Sequence, residues 1–166
     1  MWYVIWTSTG LEKKAEETVK EFTLSNRCFV PRRAISMKRQ GKWERIEKAL
    51  FPGYLFVDTD EPELLSEKVR RIEGFNQILA TEKKYFPLYD KDAEFIEKLY
   101  NKEGIFDISE GYIEGDKIVV TAGPLVGQEG LIRKIDRHKR QAYLEFSMFD
   151  QKIQVAVGLE IVEKRQ

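Results

Sequence analysis

Residues 50–59 read LFPGYLFVDT. The run from Tyr54 to Asp58 is aromatic and β-branched, which predicts a strand. Pro52 and Gly53 put a kink in front of it and help lift Phe51 out of a core. Tyr54 and Phe56 are two residues apart, so they share one face of that strand. If helices cover that face, the rings are core. If the face is the opposite one, they form an apolar patch that wants a partner.

Upstream, WYVIWT (2–7) has the composition of a first strand. In TGLEKKAEETVKEF (9–22), Thr9 and Glu12 fit a capping box, and Leu11, Ala15, Val19 and Phe22 recur at helical spacing. FVPRRAISM (29–37) is extended, with Pro31 marking an edge or a bend. RQGKW (39–43) turns around Gly41, which makes 31–48 a hairpin with seven cations against Glu44 and Glu47. Downstream, Asp60, Pro62 and Glu63 open a second helix that turns Leu64, Leu65, Val69 and Ile72 inward. FNQILA (75–80) predicts a short strand. Asp90 to Lys102 predicts a third amphipathic helix using Phe95, Ile96 and Leu99. The order β-α-β-β-α-β-α is that of a split βαβ, ferredoxin-like domain over residues 1–102, with helices on one face of an antiparallel sheet.

NKEGIFDISEGYI (101–113) breaks the pattern with glycines and acidic residues, so a linker is expected at 103–112. Beyond it, KIVVT, EGLIRKI, AYLEFSM, KIQVAV and LEIVE are five short strands separated by turn signals, which predicts a small β-barrel over 113–166. The fold class is therefore α+β, in two domains.

The chain has 28 cations and 28 carboxylates among 166 residues, so contact with nucleic acid must come from local patches. The single cysteine, Cys28, cannot form an internal disulfide and reads as a space-filling thiol of a reducing compartment. The N-terminus lacks a basic region and an apolar core of signal-peptide length, and no stretch approaches about 20 apolar residues. A cytoplasmic protein without membrane contact is expected.

AGPLVGQEGLIRKIDRHKR (122–140) is the other distinctive stretch. Gly123, Gly127 and Gly130 match neither nucleotide-binding glycine pattern, so positive-φ turns between barrel strands are the better reading. RKIDRHKR (133–140) then concentrates five cations (Arg133, Lys134, Arg137, Lys139 and Arg140) against Asp136 alone. That segregation suits phosphate contacts, and equally a solvated hairpin tip. His138 is the only histidine, so neither a metal site nor a histidine-based triad is expected. Carboxylates lie on Lys/Glu helix faces. No catalytic residue, cofactor or metal is expected.

LFPGYLFV, together with WYVIWT and the G-P-L-x-G-x-E-G-x-I of 123–132, resembles the NusG family of transcription elongation factors over nearly the whole chain. The resemblance implies an N-terminal (NGN) domain that rides on RNA polymerase and an SH3-like, five-strand KOW domain that recruits RNA or a partner protein. Its aromatic pocket, which docks on the clamp helices of the largest polymerase subunit, maps to Trp6, Phe51, Tyr54, Phe56 and Ile96. A second family contact, to the gate loop of the other large subunit, maps to Leu65-Ser66-Glu67-Lys68, where the sequence departs from the His-Thr-Thr-Thr of the paralogue RfaH. An exposed aromatic that binds ribosomal protein S-ten or Rho maps to Phe149. RKIDRHKRQAYLEF most resembles the LoaP subtype, tied to antitermination in long operons. That likeness implies an RNA hairpin in the nascent transcript, contacted by Arg133, Lys134, Arg137, His138, Lys139 and Arg140. A monomer with a stable barrel is expected.

Three other readings stand beside this one. GYLFV resembles the heart of an RRM motif, although Pro52 and Thr59 depart from it. A ribosome-associated KOW protein would be strongly basic, and this chain is neutral. A housekeeping NusG would recruit Rho or the ribosome instead of a particular RNA.

Overall fold

The computed structural model describes residues 1–73, 77–78, 80–81, 84–85, 87–148 and 151–165. Its first half runs β1 (Trp2–Trp6), α1 (Glu12–Glu21), β2 (Arg27–Phe29), β3 (Arg32–Arg39), β4 (Lys42–Ala49), β5 (Tyr54–Asp58), α2 (Pro62–Val69), β6 (Gln77–Ile78), β7 (Ala80–Thr81) and β8 (Lys84–Tyr85). The second half runs α3 (Asp90–Leu99), β9 (Ile105–Phe106), β10 (Ser109–Glu114), β11 (Lys117–Ala122), β12 (Ile132–Asp136), β13 (Gln141–Met148) and β14 (Gln151–Arg165). Contacts divide the chain into two units, 1–31 with 51–94, and 32–50 with 95–166.

The first unit is built on a four-stranded antiparallel sheet in the order β2-β5-β1-β6. That is the ferredoxin-like order, with the β3–β4 hairpin inserted between its second and third strands. Side chains alternate across the sheet. Tyr3, Ile5, Cys28, Leu55 and Val57 pack with Ala15 and Val19 of α1 and Leu65 and Val69 of α2. Trp2, Val4, Phe29, Tyr54 and Phe56 therefore belong to the opposite face.

Two local expectations need correction here. Leu64 was expected inward and is 40% exposed, because the short α2 buries Pro62, Leu65, Ser66 and Val69, a stripe that Leu64 lies beside. Thr9 does not cap α1, whose N-cap is Leu11 without a side-chain hydrogen bond. Glu12 instead accepts from the Gly10 N–H at 2.8 Å. Phe75, Asn76 and Leu79 of the expected fourth strand lie outside the described residues, leaving Gln77–Ile78 paired to β1.

The second unit contains the five-stranded sheet β11-β10-β14-β13-β12, in which only β10 and β14 run parallel. The segments KIQVAV and LEIVE are one continuous strand, β14, because Gly158 stays in register opposite Gln141 instead of turning. Residues 103–112, expected as a linker, hold β9 and the start of β10. Their apolar pair, Ile105 and Phe106, is buried against β3 in parallel pairing. The hairpin β3–β4 belongs to this unit, and a Cβ on Gly158 would stand 2.8 Å from the Ala34 carbonyl oxygen. α3 ends at Leu99, where Asn101 Oδ1 accepts from the N–H groups of Glu103 (2.9 Å) and Ile105 (3.0 Å) and turns the chain.

Among the described residues, no helix is long and apolar enough to cross a membrane.

Candidate functional site

Six rings of the first unit form a continuous series from core to surface. Trp2 meets Phe29 edge-on at 5.7 Å, and Phe29 meets Phe56 edge-on at 5.7 Å. Phe56 meets Phe51 at 5.9 Å, Phe51 stacks on Tyr54 at 5.9 Å, and Tyr54 stacks on Trp6 at 6.2 Å. Burial falls along the series: Phe29 and Phe56 are enclosed, Phe51 and Tyr54 are half-buried, and Trp6 is 38% exposed. Rings at these separations hold one another in fixed orientation. The surface end is thus an ordered apolar patch on the sheet face away from α1 and α2.

The FPG turn that carries Phe51 is held from two sides. Gly53 has φ +82, and its carbonyl accepts from the Thr7 N–H at 2.9 Å while its own N–H donates to Glu12 Oε1 at 2.9 Å. A Cβ on Gly53 would lie 2.9 Å from the Thr7 oxygen, so only glycine fits. One carboxylate, Glu12, therefore ties the start of α1 to the turn beneath the aromatic patch. The sequence pattern suggested a local cap for Glu12, and nothing in its spacing pointed to residue 53.

The expected polymerase-contact residues separate into two groups. Trp6, Phe51 and Tyr54 reach the surface. Phe56 and Ile96 are completely buried, Phe56 supporting Phe51 from below and Ile96 lying on α3. Leu65 and Ser66, mapped to the gate-loop contact, are buried inside α2 instead of being presented at its start.

In the second unit the glycine loop is a turn between β11 and β12. Gly123 (φ +95) and Gly127 (φ +75) take the left-handed backbone region, whereas Gly130 does not and forms part of a short 3-10 turn. Four consecutive N–H groups of the loop, 125–128, are already engaged. Leu125 donates to Ser109 Oγ at 3.1 Å, Gly127 to Glu129 Oε1 at 3.2 Å, Val126 to the Gly123 carbonyl at 3.3 Å and Gln128 to the Leu125 carbonyl at 2.9 Å. These four donors are therefore not free to cradle a phosphate.

The basic run divides in a similar way. Arg133 donates to the Gly130 carbonyl at 2.7 Å and lies 3.9 Å from Glu145, and Lys134 lies over the Tyr143 ring. The Lys152 ammonium, 3.1 Å away, holds the Glu145 carboxyl below its usual range. Arg137, His138 and Lys139 are exposed in a four-residue turn closed by Asp136, whose carboxylate accepts from the Lys139 N–H at 3.0 Å. Arg140, with φ +54, turns back over the Trp43 ring at 4.0 Å and is 3.5 Å from Glu160. Phe149 lies outside the described residues.

Cys28 is buried in the first unit, where loss of solvent and then the Glu16 charge push its thiol up to about 12. It stays a neutral thiol at physiological pH, which suits a packing role. Among the described residues no group of carboxylates, histidines or cysteines could hold a metal ion.

A family model described as transcription termination factor NusG matches residues 1–97, and the KOW motif matches residues 114–145. The chain belongs to the NusG family. Relatives in that family include the transcription termination/antitermination protein NusG of Thermus thermophilus, 27% identical with 98% of this chain and 97% of the relative covered. The protein of the same description from Staphylococcus carnosus is 26% identical, with 98% and 94% covered. A solved structure described as domain interaction in Thermotoga maritima NusG shares the fold with a TM-score of 0.54 at 21% identity, covering 95% of this chain and 92% of that one. The FPG turn and the glycine loop of this NusG-family chain thus fall, respectively, in its NusG and KOW segments.

Proposed function

We propose that this NusG-family chain is a transcription elongation and antitermination factor. It binds RNA polymerase through Trp6, Phe51 and Tyr54 and contacts an RNA hairpin in the nascent transcript through the 137–140 turn. The observation that carries the first contact is the ordered ring series ending in a half-exposed aromatic patch. Such a patch on a sheet face suits the apolar side of a helical hairpin, here the clamp helices of the largest subunit. Residues 1–102 supply this binding, while residues 113–166 form the KOW part. Phe56 acts as the support for Phe51. The protein works as a cytoplasmic monomer.

The RNA contact rests on Arg137 and Lys139, which are exposed and have no ion-pair partner among the described residues. An exposed basic turn matches the LoaP-type reading, in which a specialised paralogue promotes processive elongation of particular operons. A second reading, a housekeeping factor recruiting Rho or ribosomal protein S-ten, is favoured by the near full-length match to proteins described simply as NusG.

Affinity for core RNA polymerase tests the first contact. A Phe51→Ala, Tyr54→Ala double variant should keep its circular dichroism spectrum and lose polymerase affinity at least about ten-fold, consistent with truncation of central aromatic anchors. Unchanged affinity in the folded variant would rule out the aromatic patch as the docking surface. Binding of Rho or S-ten, with no measurable affinity for RNA, would select the housekeeping reading.

A further inference from the structure

The β3–β4 hairpin and the 137–140 turn are far apart in sequence but meet in the second unit. The tip of the hairpin pairs Arg39 with Lys42 and Lys38 with Trp43. Arg140 of the turn lies over that same Trp43, its guanidinium carbon 4.0 Å from the ring centroid. The hairpin is held at its other end as well. Arg33 donates to the Ala156 carbonyl, Arg45 lies 3.3 Å from Asp107, and Gly158 has no room for a side chain between Ile108 and the Ala34 carbonyl. The two tips are therefore fixed neighbours.

Their charges are unequally satisfied. Arg140 is partly neutralised by Glu160, and Arg32 and Arg45 both approach Glu47. Lys38, Arg39 and Lys42 on the hairpin tip, with Arg137 and Lys139 on the turn, are exposed and make no ion pair among the described residues. The acidic groups nearby are Glu44, on the hairpin, Asp136, whose carboxylate closes the turn, and Glu160. Five unpaired cations thus flank one Trp–Arg stack.

We infer that the hairpin tip and the turn form a single surface for single-stranded RNA, with phosphates lying along both tips across the Trp43–Arg140 stack. This rests on the RNA reading above and extends it to residues 38–43, which belong to a segment inserted in the other domain's sequence. Arg and Lys neutralise successive phosphates, each releasing counterions. A cation held over an indole is pre-oriented, so little freedom is lost when a strand is bound. An unpaired loop of a hairpin provides such a strand, whereas paired A-form RNA hides its major-groove base edges.

The test uses the full-length chain and a fluorescent RNA hairpin with a loop of about eight unpaired nucleotides, titrated over a range of salt. Lys38→Ala, Arg39→Ala, Lys42→Ala in one chain should reduce the log–log salt slope by about 2, at roughly 0.7 per lost single-strand contact. Affinity at about 50 mM salt should fall on the order of a hundred-fold. Replacing Lys38 and Lys42 by arginine should retain binding. Arg137→Ala, Lys139→Ala should also weaken binding. If the turn variant loses affinity while the hairpin variant keeps wild-type affinity and slope, the shared surface is wrong and the turn alone binds RNA. If the turn variant also binds as wild type, the RNA reading itself fails. A DNA strand of the loop sequence held more tightly than the RNA would overturn the assignment to RNA.

Discussion

Phe56→Ala should lower the unfolding free energy by about 3–5 kcal/mol, the usual cost of emptying a phenylalanine site in a core. Phe56 has 0% exposure and joins Phe29 to Phe51, so its removal leaves a cavity in the middle of the ring series. Against the roughly 5–15 kcal/mol that stabilises a typical domain, this is a large share. Urea unfolding followed by tryptophan fluorescence would report it, since Trp2 and Trp6 are at the two ends of the series. Phe51→Ala should cost much less, because that ring is already half-exposed. Equal losses for the two variants would show that the graded burial has no energetic meaning. The comparison also guards the polymerase-binding experiment, since a loss of binding in a Phe56 variant would reflect the disturbed core beneath Phe51 and not a lost contact.

Gly123→Ala should strongly destabilise the second unit. The backbone there has φ +95, and the new Cβ would fall 2.6 Å from Ser109 Cα and 2.8 Å from the Ile108 carbonyl oxygen. Neither backbone atom can move without disturbing β10, whose Ser109 hydroxyl also accepts from Leu125. Strain at such a dihedral costs about 1–3 kcal/mol, and the clash adds to it. Gly127→Ala provides the control, having φ +75 but no atom within 4 Å of the added carbon. The Gly123 variant should therefore be less stable than the Gly127 variant by about 1–3 kcal/mol. Indistinguishable melting temperatures would mean that the loop can shift away from β10.

Much of the fold could be read from local pattern. Helical spacing located α1, and aromatic and β-branched runs located β1 and β5, because each signal lies within a few residues. The ferredoxin-like class followed from the alternation of helices and strands, although of FVPRRAISM only Phe29 lies in that sheet. The failures share a cause: partners distant in sequence. NKEGIFDISEGYI reads as a linker until Ile105 and Phe106 are seen paired with Arg32 and Arg33, more than seventy residues earlier. Gly158 resembles a strand break until the Ala34 backbone occupies the space beside it. At the candidate surfaces, the residue types were evident but their roles were not. Tyr54 and Phe56 share a strand face, yet only the packing separates a partly exposed ring from a buried support. Likewise, composition flagged both basic stretches, but the contact of Arg140 with Trp43 could not be inferred from either alone.

The neighbourhood of Gly158 and Ala34 sets an order of events during synthesis. The hairpin at 32–50 leaves the ribosome more than a hundred residues before the strand it packs beside. At about 5–20 residues per second, that separation is several seconds or longer. The sheet of the first unit is complete in sequence once β6 has been made, whereas β10 must await the end of the chain to gain its parallel partner in β14. A nascent chain can therefore assemble its aromatic patch while the second unit is still open, and a message truncated before β14 would yield a protein with the first surface and without the second.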